Sequence, residues 1–205
     1  MNFIKCFFVT LLIFASVSLS ARTAKSFSFS KSANWTVVLS DKSVNPSSIF
    51  NLKDNVLYVN KGCAGYIRSN KQYANYTLKL EWRWLAAKGN SGVLLHIQKV
   101  DSVWPRCFQV QQKMDSAGDI ICMNGLWANE CTDKVKFTVA KMNQSSEKPI
   151  GEWNSMEVLS KNGTLTVYIN GELQNKVTGL TKSKGFIGFQ AEGQAIEYRN
   201  LVLEK

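Results

Sequence analysis

The stretch GFIGFQAEGQAIEYRNLVL, residues 185 to 203, decides the fold class. Ile187, Phe189 and Ala191 alternate with Gly188, Gln190 and Glu192, the period of a strand with one apolar and one polar face. A turn through Gly193 leads to a second apolar run with the string EYRN inside it. The pair is expected to form the closing hairpin of a β-sandwich, with Arg199 pairing to an acidic residue that holds the last strand.

Outward from this stretch the same pattern repeats. Short alternating runs at 56 to 59, 66 to 68, 76 to 84, 92 to 98, 108 to 112, 119 to 123, 153 to 160, 164 to 169 and 172 to 177 are separated by Gly, Asn, Asp and Ser. Asn170 and Gly171 join two of them as a two-residue hairpin turn, because both tolerate positive φ. No long amphipathic helical period appears. The expected architecture is all-β, two antiparallel sheets in a jelly-roll sandwich, as one domain over residues 33 to 204.

Period two also assigns faces. Along 92 to 98 it puts Val93, Leu95 and Ile97 on one side and His96 and Gln98 on the other. Along 108 to 112 it opposes Phe108 and Val110 to Gln109 and Gln111. With Gln190 and Glu192, three strands then carry an outward row of amides and ionisable groups. Such groups donate and accept hydrogen bonds as sugar hydroxyls require.

Residues 1 to 20 read as a signal peptide: Lys5, an apolar run over 6 to 17, then Ser18, Ser20 and Ala21 at a cleavage site. The run is shorter than the roughly 20 residues that span a bilayer, so no stable membrane span is expected after signal removal, and a secreted or periplasmic location follows. The net charge is +10, but Lys and Arg are scattered without a basic run or basic-aromatic interleaving, which argues against a nucleic-acid partner. Beyond the signal lie Cys63, Cys107, Cys122 and Cys131. An oxidising compartment permits two disulfides among three connectivities, of which Cys122–Cys131 with Cys63–Cys107 is favoured. Zinc is disfavoured, since CxxC pairs are absent and His96 is the only histidine. Four sequons, at Asn34, Asn75, Asn143 and Asn162, signal glycosylation only in a eukaryotic source.

GNSGVLLHIQ at 89 to 98, WPRCFQVQ at 104 to 111, GDI at 118 to 120, GEWN at 151 to 154, YINGE at 168 to 172 and the closing EYRN stand in a fixed order. In order and spacing the chain resembles the 3-keto-disaccharide hydrolase family. The resemblance implies a concanavalin-like jelly roll that binds ligand on a concave sheet, exported, acting on carbohydrate, with some members cleaving glycosides already oxidised to a 3-ketone. At one position the family usually reads Glu-x-Gln, whereas this chain has Gln109, Val110 and Gln111. An amide takes no proton at neutral pH, so that position cannot supply a base here.

The ExDxxE string of retaining glucanases on such sandwiches is absent, as are GxSxG, P-loop and HExxH motifs. A 3-keto sugar needs none of them. Its ketone acidifies the C2 proton, and elimination at C1 asks for one base and one electrophile to hold the enolate oxygen. His96 is the first candidate base, with Asp119 and Glu192 as further catalytic candidates. Gln109, Gln111, Gln190, Trp104 and Arg106 are candidate substrate binders. The cofactor is open, with a divalent ion such as Ca admissible as the electrophile. Alternatives are a noncatalytic carbohydrate-binding module of the same fold and a structural or adhesion module.

Overall fold

Period two carries through the tertiary structure almost everywhere. A computed structural model of the protein describes residues 27 to 98 and 102 to 205; the expected signal peptide lies outside the described residues. The strands are β1 (Trp35–Leu39), β2 (Phe50–Lys53), β3 (Val56–Val59), β4 (Gly65–Ser69) and β5 (Tyr73–Ala74). They continue with β6 (Tyr76–Trp84), β7 (Gly92–Ile97), β8 (Phe108–Gln111), β9 (Ile120–Cys122) and β10 (Thr138–Val139). The last five are β11 (Asn154–Lys161), β12 (Thr164–Ile169), β13 (Glu172–Val177), β14 (Lys184–Ala191) and β15 (Ile196–Glu204). One α-helical turn, Pro46–Ile49, is capped by the Asn45 side chain, which accepts from the Ser47 N–H.

Two antiparallel sheets form a sandwich. The first runs β1-β4-β14-β7-β8-β9-β10, with β5 attached to β14, and the second runs β13-β12-β11-β6-β15-β3-β2. In β6, burial alternates without a break, sending Leu78, Leu80, Trp82 and Trp84 into the core. Val93, Leu95, Phe108, Val110, Ile187 and Phe189 meet them from the first sheet. Asn170 and Gly171, at φ +51° and +82°, make the expected two-residue hairpin between β12 and β13.

The closing stretch is not a hairpin. β14 lies in the first sheet between β4 and β7, while β15 lies in the second between β6 and β3. The turn through Gly193 arches from one sheet to the other, because both apolar faces must meet across the core rather than side by side. Phe189 and Tyr198 accordingly stack at 4.9 Å between ring centroids. Arg199 pairs with Glu81 on β6 at 2.6 Å, holding the last strand as expected.

All four described cysteines are free thiols. Cys107 directly precedes β8 and Cys63 stands just before β4; two strands intervene and the two strands start at opposite ends of the sheet, so the separation exceeds about 14 Å. That is beyond disulfide reach, so the Cys63–Cys107 pairing is corrected. Cys122 and Cys131 are both buried and are not bonded to each other either.

One buried polar chain ties the sheets. Tyr198 of the second sheet donates to Gln112 Oε1 at 2.6 Å and lies 2.8 Å from the Ser91 hydroxyl, which donates to the Gln190 carbonyl at 2.6 Å. Tyr198→Phe strands the Gln112 acceptor in the core. We expect a loss of about 1–3 kcal/mol, read as a lower denaturation midpoint with unchanged slope in urea.

Candidate functional site

The outer face of the first sheet gathers most of the polar residues picked out in the sequence. Register places Gly92 opposite Gln111 and Leu94 opposite Gln109 across β7 and β8. Gly188 opposite Leu94, and a bridge between Asn90 and Glu192, put Gln190 opposite Gly92 on the other side. Gly92 is the low point of this row. A Cβ there would stand 2.5 Å from Gln109 Nε2, so the glycine lets the Gln109 amide cross to β14.

The three glutamines form one chain of hydrogen bonds. Gln109 Nε2 donates to Gln111 Oε1 and to Gln190 Oε1, both at 3.1 Å, and Gln190 Nε2 donates to Glu192 Oε2 at 2.9 Å. Gln111 Oε1 also accepts from the backbone N–H groups of Gln112 and Lys113. The amides are thereby fixed in orientation, and the chain ends on the Glu192 carboxylate. The three glutamine side chains are nearly buried.

Tyr66 and Arg68 of β4 extend the face beyond β14, opposite Gln190 and Gly188. The Arg68 guanidinium lies 4.3 Å over the Phe186 ring and donates to the Ser69 carbonyl at 2.8 Å. It brings a cation to the side of the face away from Glu192, four residues or about 13 Å along β14. Arg68 was missed in the sequence. Its polar position in GYIRS was legible, but its place beside β14 depends on a pairing between strands far apart in the chain. Asn90, just before β7, has its Oδ1 buried with no hydrogen-bond partner beside Glu192.

His96 leaves the face. A bulge shifts the β7–β14 register between Phe186 and Gly188, and His96 takes φ +53°. Alternation is thereby reset, so Ile97 turns outward and the imidazole enters the core between Tyr76 and Phe108. A Cβ at Gly185 would collide with the His96 backbone, so the neighbouring glycine admits the bulge. Nδ1 sits 3.1 Å from the Lys182 carbonyl, which only accepts, and Nε2 lies 3.0 Å from the Ser160 hydroxyl. The ring therefore carries its proton on Nδ1 and has no access to a ligand on the outer face.

Asp119 stays at the edge of the face, its backbone carbonyl accepting from Gln111 N–H at 2.8 Å. Its carboxylate accepts from the Lys141 backbone N–H at 2.8 Å, a tie that holds the segment leaving β10. Trp104 is 39% exposed in the loop before β8, with its carbonyl accepting from Asn124 Nδ2 at 2.6 Å. Arg106 is committed to the Gly125 carbonyl at 3.0 Å, so both residues brace the same neighbouring turn. Among the described residues no three His, Cys, Asp or Glu side chains converge to hold a metal ion. No described helix is long and apolar enough to cross a membrane.

A jelly-roll sandwich with a polar, amide-lined sheet face defines a carbohydrate-type scaffold. The chain belongs to the family described as the 3-keto-alpha-glucoside-1,2-lyase-like domain, matched over residues 26–204, a glycosyl-hydrolase-like group. A candidate glycosyl hydrolase of Parabacteroides distasonis superposes with TM-score 0.60 at 20% identity, covering 84% of this chain and 88% of that one. A carbohydrate-binding module from Bacillus subtilis gives 0.59 at 11% identity, over 84% and 96%. The Bacillus licheniformis β-glucanase gives 0.59 at 10%, over 85% and 93%. These three likenesses establish the fold. No curated protein matches the chain.

Burial holds His96 neutral, pushing its pKa down from 6.5 to about 4. Between those values the unfolded chain takes up a proton that the folded chain refuses, so stability is full above pH 6.5 and falls as pH drops toward 4. The loss is about 3 kcal/mol. Urea denaturation at pH 7 and pH 4.5 should show it, and His96→Gln should flatten the dependence.

Proposed function

We propose that the protein is an exported enzyme that cleaves 3-keto-glycosides by elimination and hydration on the outer face of the first sheet. The single observation that carries this reading, beside family membership, is the amide chain from Gln111 through Gln109 and Gln190 to Glu192. Glu192 removes the C2 proton of the keto sugar. Electrons move onto the C3 oxygen, where the free N–H groups of Gln190 and Gln111 stabilise the enolate. The enolate re-forms its ketone as the C1–oxygen bond breaks, leaving an enone and an alkoxide that takes up a proton. Water then adds across C1 and C2, giving the free 3-keto sugar. Donation from Gln190 Nε2 aims the Glu192 carboxylate and keeps its other oxygen for the substrate.

A second reading, a noncatalytic carbohydrate-binding module, is favoured by Gln109 at the family's usual Glu position and by the withdrawal of His96 into the core. Incubation with a 3-keto-disaccharide and with its parent disaccharide separates the two. The enzyme releases monosaccharide from the keto sugar alone, and Glu192→Gln lowers kcat by about 100-fold or more with little change in KM. Sugar binding without release would establish the module instead.

Export rests on the leader over residues 1 to 20. N-terminal sequencing of protein recovered from outside the cytoplasm should begin near Ala21 or Arg22; a chain starting at Met1 in the cytosol would refute it.

A further inference from the structure

The outer face of the second sheet, which the proposed reaction does not use, holds a groove of about 250 Å³. Lys79, Glu81, Ser155, Glu157, Tyr168 and Asn200 line it. Cross-strand register explains its shape. Tyr168, Glu157 and Lys79 stand in one row across β12, β11 and β6, and Ser155 and Glu81 stand in the next, continued by Arg199 on β15. Ser155 is the short side chain among long ones, and Gly171 at the hairpin has none, so the surface sinks between the rows.

Two irregularities border this depression. β12 and β13 shift register between Val167 and Tyr168, and β15 shifts against β6 between Arg199 and Val202, with Asn200 at φ +52° inside the second. Bulges re-aim side chains and concentrate near functional sites. The second turns Asn200 toward the groove, and Tyr168, on the unbroken alternation of β12, faces it from the other side.

The lining selects the ligand. Lys79 lies 3.4 Å from Glu204 and 3.9 Å from Glu157, and Arg199 lies 2.6 Å from Glu81, so both signs of charge, two cations and three carboxylates, border the groove. A charged ligand would face a like charge, and an apolar one would strip water from carboxylates and an ammonium without replacing its hydrogen bonds. A neutral polyhydroxylated ligand avoids both costs. Its hydroxyls donate to Glu157 and Glu81 and accept from Lys79 and Ser155, while the Tyr168 ring offers an apolar flank. The volume sits at the small end for ligand sites, about the size of one sugar ring.

We propose that this groove is a second carbohydrate site that holds one residue of a neutral glycan on the face opposite the catalytic one. The proposal rests on the carbohydrate reading of the family, but not on catalysis. The test is titration of the 15N-labelled protein with an array of neutral gluco-, manno- and galacto-configured di- and trisaccharides. Amide resonances of Ser155, Glu157, Tyr168 and Gly171 should move, and should still move in Glu192→Gln. Ser155→Trp, at an exposed position, should fill the groove and weaken this binding about tenfold or more, and Tyr168→Ala should do the same. No perturbation on this face with any sugar, or perturbation that Ser155→Trp leaves unaltered, overturns the site. Shifts here together with an inactive wild-type protein would sink the proposed reaction and leave the groove standing.

Discussion

A strand has two faces, and the core of this sandwich takes only one of them. Everything else in the structure follows from how the second face of each strand is used. Across the core, Leu78, Leu80, Trp82 and Trp84 meet Val93, Leu95, Phe108 and Val110, and apolar burial on that scale dominates folding. Once those residues point inward, Gln109, Gln111 and Gln190 must point outward from the first sheet. Lys79, Glu81 and Glu157 must point outward from the second. The Tyr198–Ser91–Gln190 tie passes through the core and anchors the backbone of the very residue whose side chain joins the outer amide chain.

The two outer faces solve the problem of polar groups differently. On the first, amides hydrogen-bond one another around Gly92, so that nearly buried groups stay satisfied without charge and are held for a partner to meet. On the second, charges pair across neighbouring strands at exposed positions, where each pair contributes little to stability and the arrangement matters more as surface chemistry. The amide face suits selective binding with one ionised group at its end. The charge-paired face suits weaker contact with neutral hydroxyls.

Local departures from period two mark the places where this division is adjusted. The bulge in β7 moves the sole histidine from the ligand side to the core side, and with it the base expected from the residue type alone. In the proposed reaction the base is then a carboxylate, Glu192, and the neighbouring amides hold the oxyanion.

The all-β class, the alternation within β6 and β8, the Asn170–Gly171 turn and the amide faces of Gln109, Gln111 and Gln190 were legible in the sequence, because each depends on residues a few positions apart. The family resemblance rested likewise on the order of short local strings. Tertiary structure alone decided the rest. The arch through Gly193 in place of a hairpin, the separation of Cys63 from Cys107, Arg68 beside β14 and the groove over Ser155 all arise from pairing between strands distant in the chain. His96 shows the limit most directly: one extra residue in the ladder reverses every face beyond it, and no local pattern at 92 to 98 reports that the partner strand requires it.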